Sequence, residues 1–112
     1  METNIAAVSE RSDRADRKVL LVDDDQSLLR VLAIRLRHEG FQVEATDNGR
    51  SALPALPSFR PHVVVTDMKM DGMDGLALFD AIRAREPTTP VIVLTAHGTI
   101  PDAVHATQLG AF

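Results

Sequence analysis

Two apolar runs of this chain end in carboxylates. Lys18-Val19-Leu20-Leu21-Val22 leads into Asp23-Asp24-Asp25, and Val63-Val64-Val65-Thr66 leads into Asp67. Runs of four or five β-branched and aliphatic residues are short for a helix and suit strands buried on both faces. Parallel sheets bind their ligands at the carboxyl ends of the strands, so both runs are expected to deliver acids to one end of one sheet. Two unit charges about 4 Å apart repel by roughly 4 kcal/mol at an intermediate dielectric. A hard divalent cation is the usual way to offset this. Mg2+ suits the set better than a full calcium cage does, because it takes one or two carboxylates and fills its octahedron with waters and phosphate oxygens. A carboxylate with Mg2+ alongside can attack phosphorus and form an acyl phosphate. Thr95 ends the run Val91-Ile92-Val93-Leu94, and its hydroxyl can donate to a phosphoryl oxygen carried by Asp67. Such a bond exists only while the phosphoryl group is present, which makes it a sensor. The small Ala96 leaves room for the group to enter.

Each of these residues has a plainer reading when taken singly. The aspartate triplet alone reads as helix-start acids, Asp67 as a solvated strand end, and Thr95 as a strand residue or local backbone partner. Their joint placement at the ends of three neighbouring strands argues for a site. Met68, Met70 and Met73 read as loop residues covering the sheet edge. Asp67-Met68-Lys69-Met70-Asp71-Gly72 superficially resembles a calcium loop, but Lys69 stands where an oxygen ligand is needed and Leu78 where the closing Glu belongs. The histidines (His38, His62, His97, His105) lack paired zinc-ligand spacing. The chain has neither a Gly-rich phosphate loop nor a serine nucleophile elbow.

The elements that must position these groups can be read from periodicity and punctuation. Residues 1–17 intersperse small and charged residues and read as a disordered tail, with order beginning at Lys18. After the first strand, Leu28, Leu32 and Leu36, widened by Leu29 and Val31, predict an amphipathic helix against the sheet. Asp25 is its expected N-cap and Gly40 its stop. Residues 41–45 alternate as an edge strand. Asn48-Gly49 turns into a short helix from about Arg50, weakened by Pro54 and ended by Pro57. The third strand is expected over 62–66. After the loop 71–75 comes a helix carrying Leu76, Leu78, Phe79 and Ile82, ended by Glu86-Pro87. The fourth strand is 91–95. A last helix opens on Thr99, Pro101 and Asp102 and stops near Gly110. Regular β-α alternation with short connections predicts a parallel sheet with right-handed crossovers.

Composition narrows the function classes. A chain of 112 residues, 45% apolar and 25% charged, fits one globular domain. The formal net charge of −4 argues against direct nucleic-acid binding by this segment. The absence of cysteine excludes disulfide scaffolds and thiolate metal sites. No apolar stretch approaches the roughly 18 residues of a membrane span, and the N-terminus lacks a signal-peptide pattern. A cytoplasmic protein without membrane attachment is expected. With four Phe and neither Trp nor Tyr, a stacking platform for single strands is not expected.

The pieces Leu20-Leu21-Val22-Asp23-Asp24-Asp25, Val63-Val64-Val65-Thr66-Asp67, Met73-Asp74-Gly75 and Val91-Ile92-Val93-Leu94-Thr95-Ala96 resemble the receiver domain of bacterial two-component response regulators. The resemblance runs from Lys18 to Phe112. The stretch from Thr95 to Val104 is similar to the NtrC-type subgroup that activates sigma-54 promoters. The resemblance implies a flavodoxin-like doubly wound sheet of strand order 2-1-3-4-5. It implies a receiver domain over 18–112 that is incomplete at its C-terminal end, with strand 5 and helix 5 missing from this chain. By the same resemblance Asp67 is the phosphoacceptor, Asp24 a direct Mg2+ ligand and Asp23 an acidic neighbour acting mostly through water. The backbone carbonyl of Lys69 completes the coordination, and Thr95 is the switch hydroxyl. The implied donor is a phosphohistidine on a sensor histidine kinase, the implied output is transcriptional, and a homodimer through the receiver is a further implied partner.

Two departures from the family pattern stand out. The family usually has proline at the position of Asp71, so the loop after the acceptor is expected to be more mobile or more acidic. The family also places a lysine at the end of its fifth strand. Lys18 and Lys69 are the lysines of this chain, and neither stands at the matching position. A receiver without its last strand and helix is expected to be marginal in stability, with an exposed edge strand. Three functions therefore compete. One is a phosphorylatable receiver and another is a non-switching pseudo-receiver or inactive fragment. The third is a Mg2+-dependent phosphatase, which Lys69 disfavours because such enzymes commonly carry a second aspartate there. The receiver reading involves no enzymatic turnover.

Overall fold

The computed structural model describes residues 16–94. Within them the chain runs β1 (Lys18–Val22), α1 (Gln26–His38), β2 (Gln42–Thr46), α2 (Gly49–Phe59), β3 (Val63–Asp67), α3 (Gly75–Arg85) and β4 (Val91–Leu94). The strands pair in parallel in the order β2-β1-β3-β4. This is the flavodoxin-like arrangement expected, with β2 at an edge. Most of the 1–17 tail, Thr95 and the helix expected from Thr99 lie outside the described residues.

Alternation along the strands divides the core into two layers. Leu20, Val22 and Val64 face one way and pack with Ala52, Ala55 and Leu56 of α2 and with Leu78, Phe79 and Ile82 of α3. Val19 and Leu21 face the other way, against Leu29 and Ala33 of α1. β1 therefore lies between helices on both sides. Its residues Val19 to Val22 are all buried, as a near-continuous apolar run requires.

All three helices among the described residues begin on a side chain that accepts a backbone N–H. Asp25 accepts from Leu28, Asn48 from Ser51 and Asp74 from Ala77, at 3.1, 2.8 and 2.9 Å. These caps satisfy donors that have no partner within the helix. After α1 the chain turns through Gly40 at φ 105.

Packing changed several sequence expectations. The buried line of α1 is Leu29 and Ala33, flanked by Leu32 and Leu36. Leu28 and Val31 lie outside it, 36% and 61% exposed. The spacing 29, 32, 33, 36 is itself a helical stripe, and the small Ala33 lets that side approach the sheet. Pro57 does not end α2, which continues to Phe59 with both Pro54 and Pro57 inside it. Ala52, Ala55 and Leu56 hold that helix in the core, while both prolines are exposed. Met68 and Met70 are core residues, 2% and 9% exposed, rather than a loop cover. β2 and β3 each run one residue later than expected, so Asp67 is the last residue of its strand rather than the first beyond it.

The stop of α2 yields a stability prediction. Arg60 caps the helix in the left-handed region at φ 55, ψ 61, and its N–H donates to the Leu56 carbonyl. A side chain there costs roughly 1–2 kcal/mol, partly offset because glycine loses more freedom on folding. Arg60→Gly is expected to raise stability by about 0.5–1 kcal/mol, read as a higher urea midpoint at an unchanged slope.

Candidate functional site

The register of the central strands determines where the acids meet. Val22 of β1 stands opposite Thr66 of β3, so Asp23 and Asp67 follow side by side at the carboxyl ends of adjacent strands. The Asp23 N–H donates to the Thr46 carbonyl at 3.2 Å, which extends the β1–β2 ladder through this residue. Asp23 and Asp67 are buried, 4% and 3% exposed, and Asp24 is open to solvent.

Backbone donors orient all three carboxylates. Asp23 Oδ1 accepts the Asp25 N–H at 2.9 Å, Asp67 Oδ1 accepts the Met68 N–H at 3.0 Å, and Asp24 Oδ2 accepts the Asp71 N–H at 3.1 Å. One oxygen from each of the three aspartates lies within 4.8 Å of the others. The triplet thus divides its work: Asp23 and Asp24 join the cluster, while Asp25 caps α1. The start of α1 adds the positive end of a helix dipole to this end of the sheet.

The donor set is entirely carboxylate oxygen, two of the three groups are buried, and the third opens to water. These features fit a hard cation that retains waters and takes few protein ligands. Lys69, two residues past Asp67, is itself exposed between the buried Met68 and Met70. Thr95 falls outside the described residues. The last described residue of β4, Leu94, pairs with Asp67 and accepts the Met68 N–H at 2.9 Å.

Two features of the loop after Asp67 escaped the sequence reading. One is the Asp71 N–H on Asp24. The other is the approach of α3, whose Gly75 N–H donates to the Met68 carbonyl at 2.9 Å. A Cβ at Gly75 would overlap the Asp67 carbonyl oxygen and lie 2.9 Å from Met68 Cα. Gly75 was visible as part of the Met73-Asp74-Gly75 motif, but its spacing carried no sign of this contact.

The family model for the response regulator receiver domain matches residues 19–112. The chain belongs to that family. This receiver is 49% identical over 94 residues to the transcriptional regulatory protein GlrR of Escherichia coli K12, a match covering 84% of this chain and 21% of the relative. It is 46% identical to the DNA-binding transcriptional regulator NtrC of Salmonella typhimurium, covering 84% and 20%. The chain therefore spans about a fifth of the length of these curated relatives. Among solved structures, the apo receiver domain of nitrogen regulatory protein C matches with TM-score 0.76 at 43% identity, covering 88% of this chain and 79% of that one. A response regulator receiver domain protein from Clostridium thermocellum matches with TM-score 0.81 at 31% identity, covering 86% and 78%. The relatives bear out the resemblance to NtrC-type regulators. Among the described residues, no helix is long and apolar enough to cross a membrane.

Proposed function

We propose that this chain is the phosphoacceptor receiver of a cytoplasmic two-component phosphorelay, taking a phosphoryl group from a sensor histidine kinase onto Asp67 to regulate a transcriptional output. The observation that carries this reading is the convergence of Asp23, Asp24 and Asp67 within 4.8 Å, with Asp67 buried at the end of β3. An Asp67 carboxylate oxygen attacks phosphorus. The P–N bond of the donor phosphohistidine breaks, and its electron pair stays on the imidazole nitrogen. Asp23, Asp24 and Asp67, with the Lys69 backbone carbonyl, would hold Mg2+. When bound, the cation screens the repulsion between the anionic nucleophile and the anionic phosphoryl group. Asp23 and Asp24 keep the acidic pocket at the strand ends, and the Met68 N–H steadies the nucleophile. Thr95 is proposed as the hydroxyl that senses the phosphoryl group.

The test is incubation with acetyl phosphate. With Mg2+ the chain is expected to gain one phosphoryl mass, located on the peptide containing Asp67 and released by hydroxylamine as an acyl phosphate must be. EDTA is expected to prevent the gain. A chain that stays unlabelled while binding Mg2+ would be a pseudo-receiver instead, and turnover of a small phosphate ester would favour a phosphatase.

A further inference from the structure

The Asp24 carboxylate is exposed, and among the described residues its hydrogen-bond partner is the backbone N–H of Asp71, at 3.1 Å from Oδ2. Proline, the residue the family pattern usually has here, has no N–H and could not make this bond. The chain bends immediately afterwards through Gly72 at φ 75. The β3–α3 loop is therefore tied by a backbone hydrogen bond to one member of the acidic cluster.

We propose that the Asp71 backbone N–H is a positioning group for the cation site. It holds the Asp24 carboxylate beside Asp23 and Asp67 before any cation arrives, and it couples cation occupancy to the loop. The proposal rests on the reading of the three carboxylates as a Mg2+ site. A carboxylate has about four lone-pair positions, so a bond at Oδ2 leaves capacity for metal and water. An unrestrained exposed side chain would have to be immobilised on binding, and a backbone donor supplies that order in advance. The Asp71 carboxylate is a separate matter. It is exposed, and screening makes an exposed charge a weak contributor.

Mg2+ titration of the 15N-labelled chain, followed by amide shifts and calorimetry, separates the N–H from the charge. Asp71→Pro, which removes the donor, is expected to weaken Mg2+ binding by about three- to tenfold. Asp71→Ala, which keeps the donor and removes the carboxylate, is expected to stay within about twofold of the parent chain. Equal affinity for Asp71→Pro and the parent would overturn the proposal. So would an equal loss in both variants, because charge would then explain the effect. Should Asp71→Pro not fold, the Asp71 amide decides. Its proton signal is expected to move upfield in Asp24→Ala and to respond to Mg2+ in the parent chain, and an amide indifferent to both overturns the proposal. A parent chain with no Mg2+ affinity removes the cation reading itself, and the proposal with it. Parent binding that survives Asp71→Pro unchanged sinks the positioning role alone.

Discussion

Asp67→Asn is expected to abolish acetyl-phosphate labelling and, in metal-free buffer, to make the protein more stable. The amide is not a nucleophile toward phosphorus under these conditions, so the phosphoryl mass gain should fall to background. The stability gain follows from the same geometry. Asp67 is 3% exposed, with carboxylate oxygens of Asp23 and Asp24 within 4.8 Å. At an effective dielectric near 20, a pair of charges at that separation repels by roughly 3.5 kcal/mol before water at the open Asp24 side screens it. Asn keeps an oxygen able to accept the Met68 N–H, so the local backbone bond survives the change. A rise of about 1–3 kcal/mol in unfolding free energy is expected, shrinking as Mg2+ is added because the cation offsets the same repulsion in the parent. Labelling that persists would move the acceptor to another residue. A variant less stable than the parent without metal would show that the three carboxylates are not in electrostatic conflict.

Gly75→Ala is expected to be the most damaging conservative change among the described glycines. The new methyl would overlap the Asp67 carbonyl oxygen and lie 2.9 Å from Met68 Cα and 3.1 Å from the Asp67 carbonyl carbon. All three are backbone atoms that no rotamer change can move. Either the end of β3 shifts, displacing Asp67, or α3 backs away and loosens Leu78, Phe79 and Ile82 in the core. Overpacking of this kind outweighs the gain of about 1 kcal/mol from replacing glycine in a helix. A net loss of about 2–4 kcal/mol is expected, or roughly 10 °C or more in Tm for a domain of this size. Gly49→Ala is the comparison. Its Cβ would have Met73 side-chain atoms as nearest neighbours, Cγ and Sδ at 3.1 Å and Cβ at 3.2 Å. Cγ and Sδ can swing aside and the Cβ contact needs only a small shift, so its cost should stay at about 1 kcal/mol or below. Equal melting of the two variants would remove the argument from close approach.

The acidic site was legible because its logic is local. Each aspartate ends or follows an apolar strand, and strands of a parallel sheet end together, so residue type and position in the run were enough to bring Asp23, Asp24 and Asp67 to one edge. Other features depended on how elements sit against one another. The face that α1 presents is decided by the fit of Ala33 to the sheet, and a list of leucines could not distinguish Leu28 from Leu29. Pro57 carries a real helix-ending tendency that the burial of Ala55 and Leu56 overrides. The tie between Asp71 and Asp24 uses a backbone N–H, which every residue except proline offers. Only the departure from the usual proline marked the position, and it pointed toward a looser loop rather than a bond.

The parallel sheet also sets when the site can exist along the folding route. Asp23 and Asp67 sit on strands separated by two helices and an intervening strand, so the cluster forms only after β1 and β3 have zipped into register. Electrostatic conflict among the carboxylates is therefore absent from the early collapsed chain and grows as the native pairing closes. A cation held by all three groups would therefore stabilise only states in which β1 and β3 are already paired, and the split of its effect between refolding and unfolding rates would report whether that pairing precedes the folding barrier.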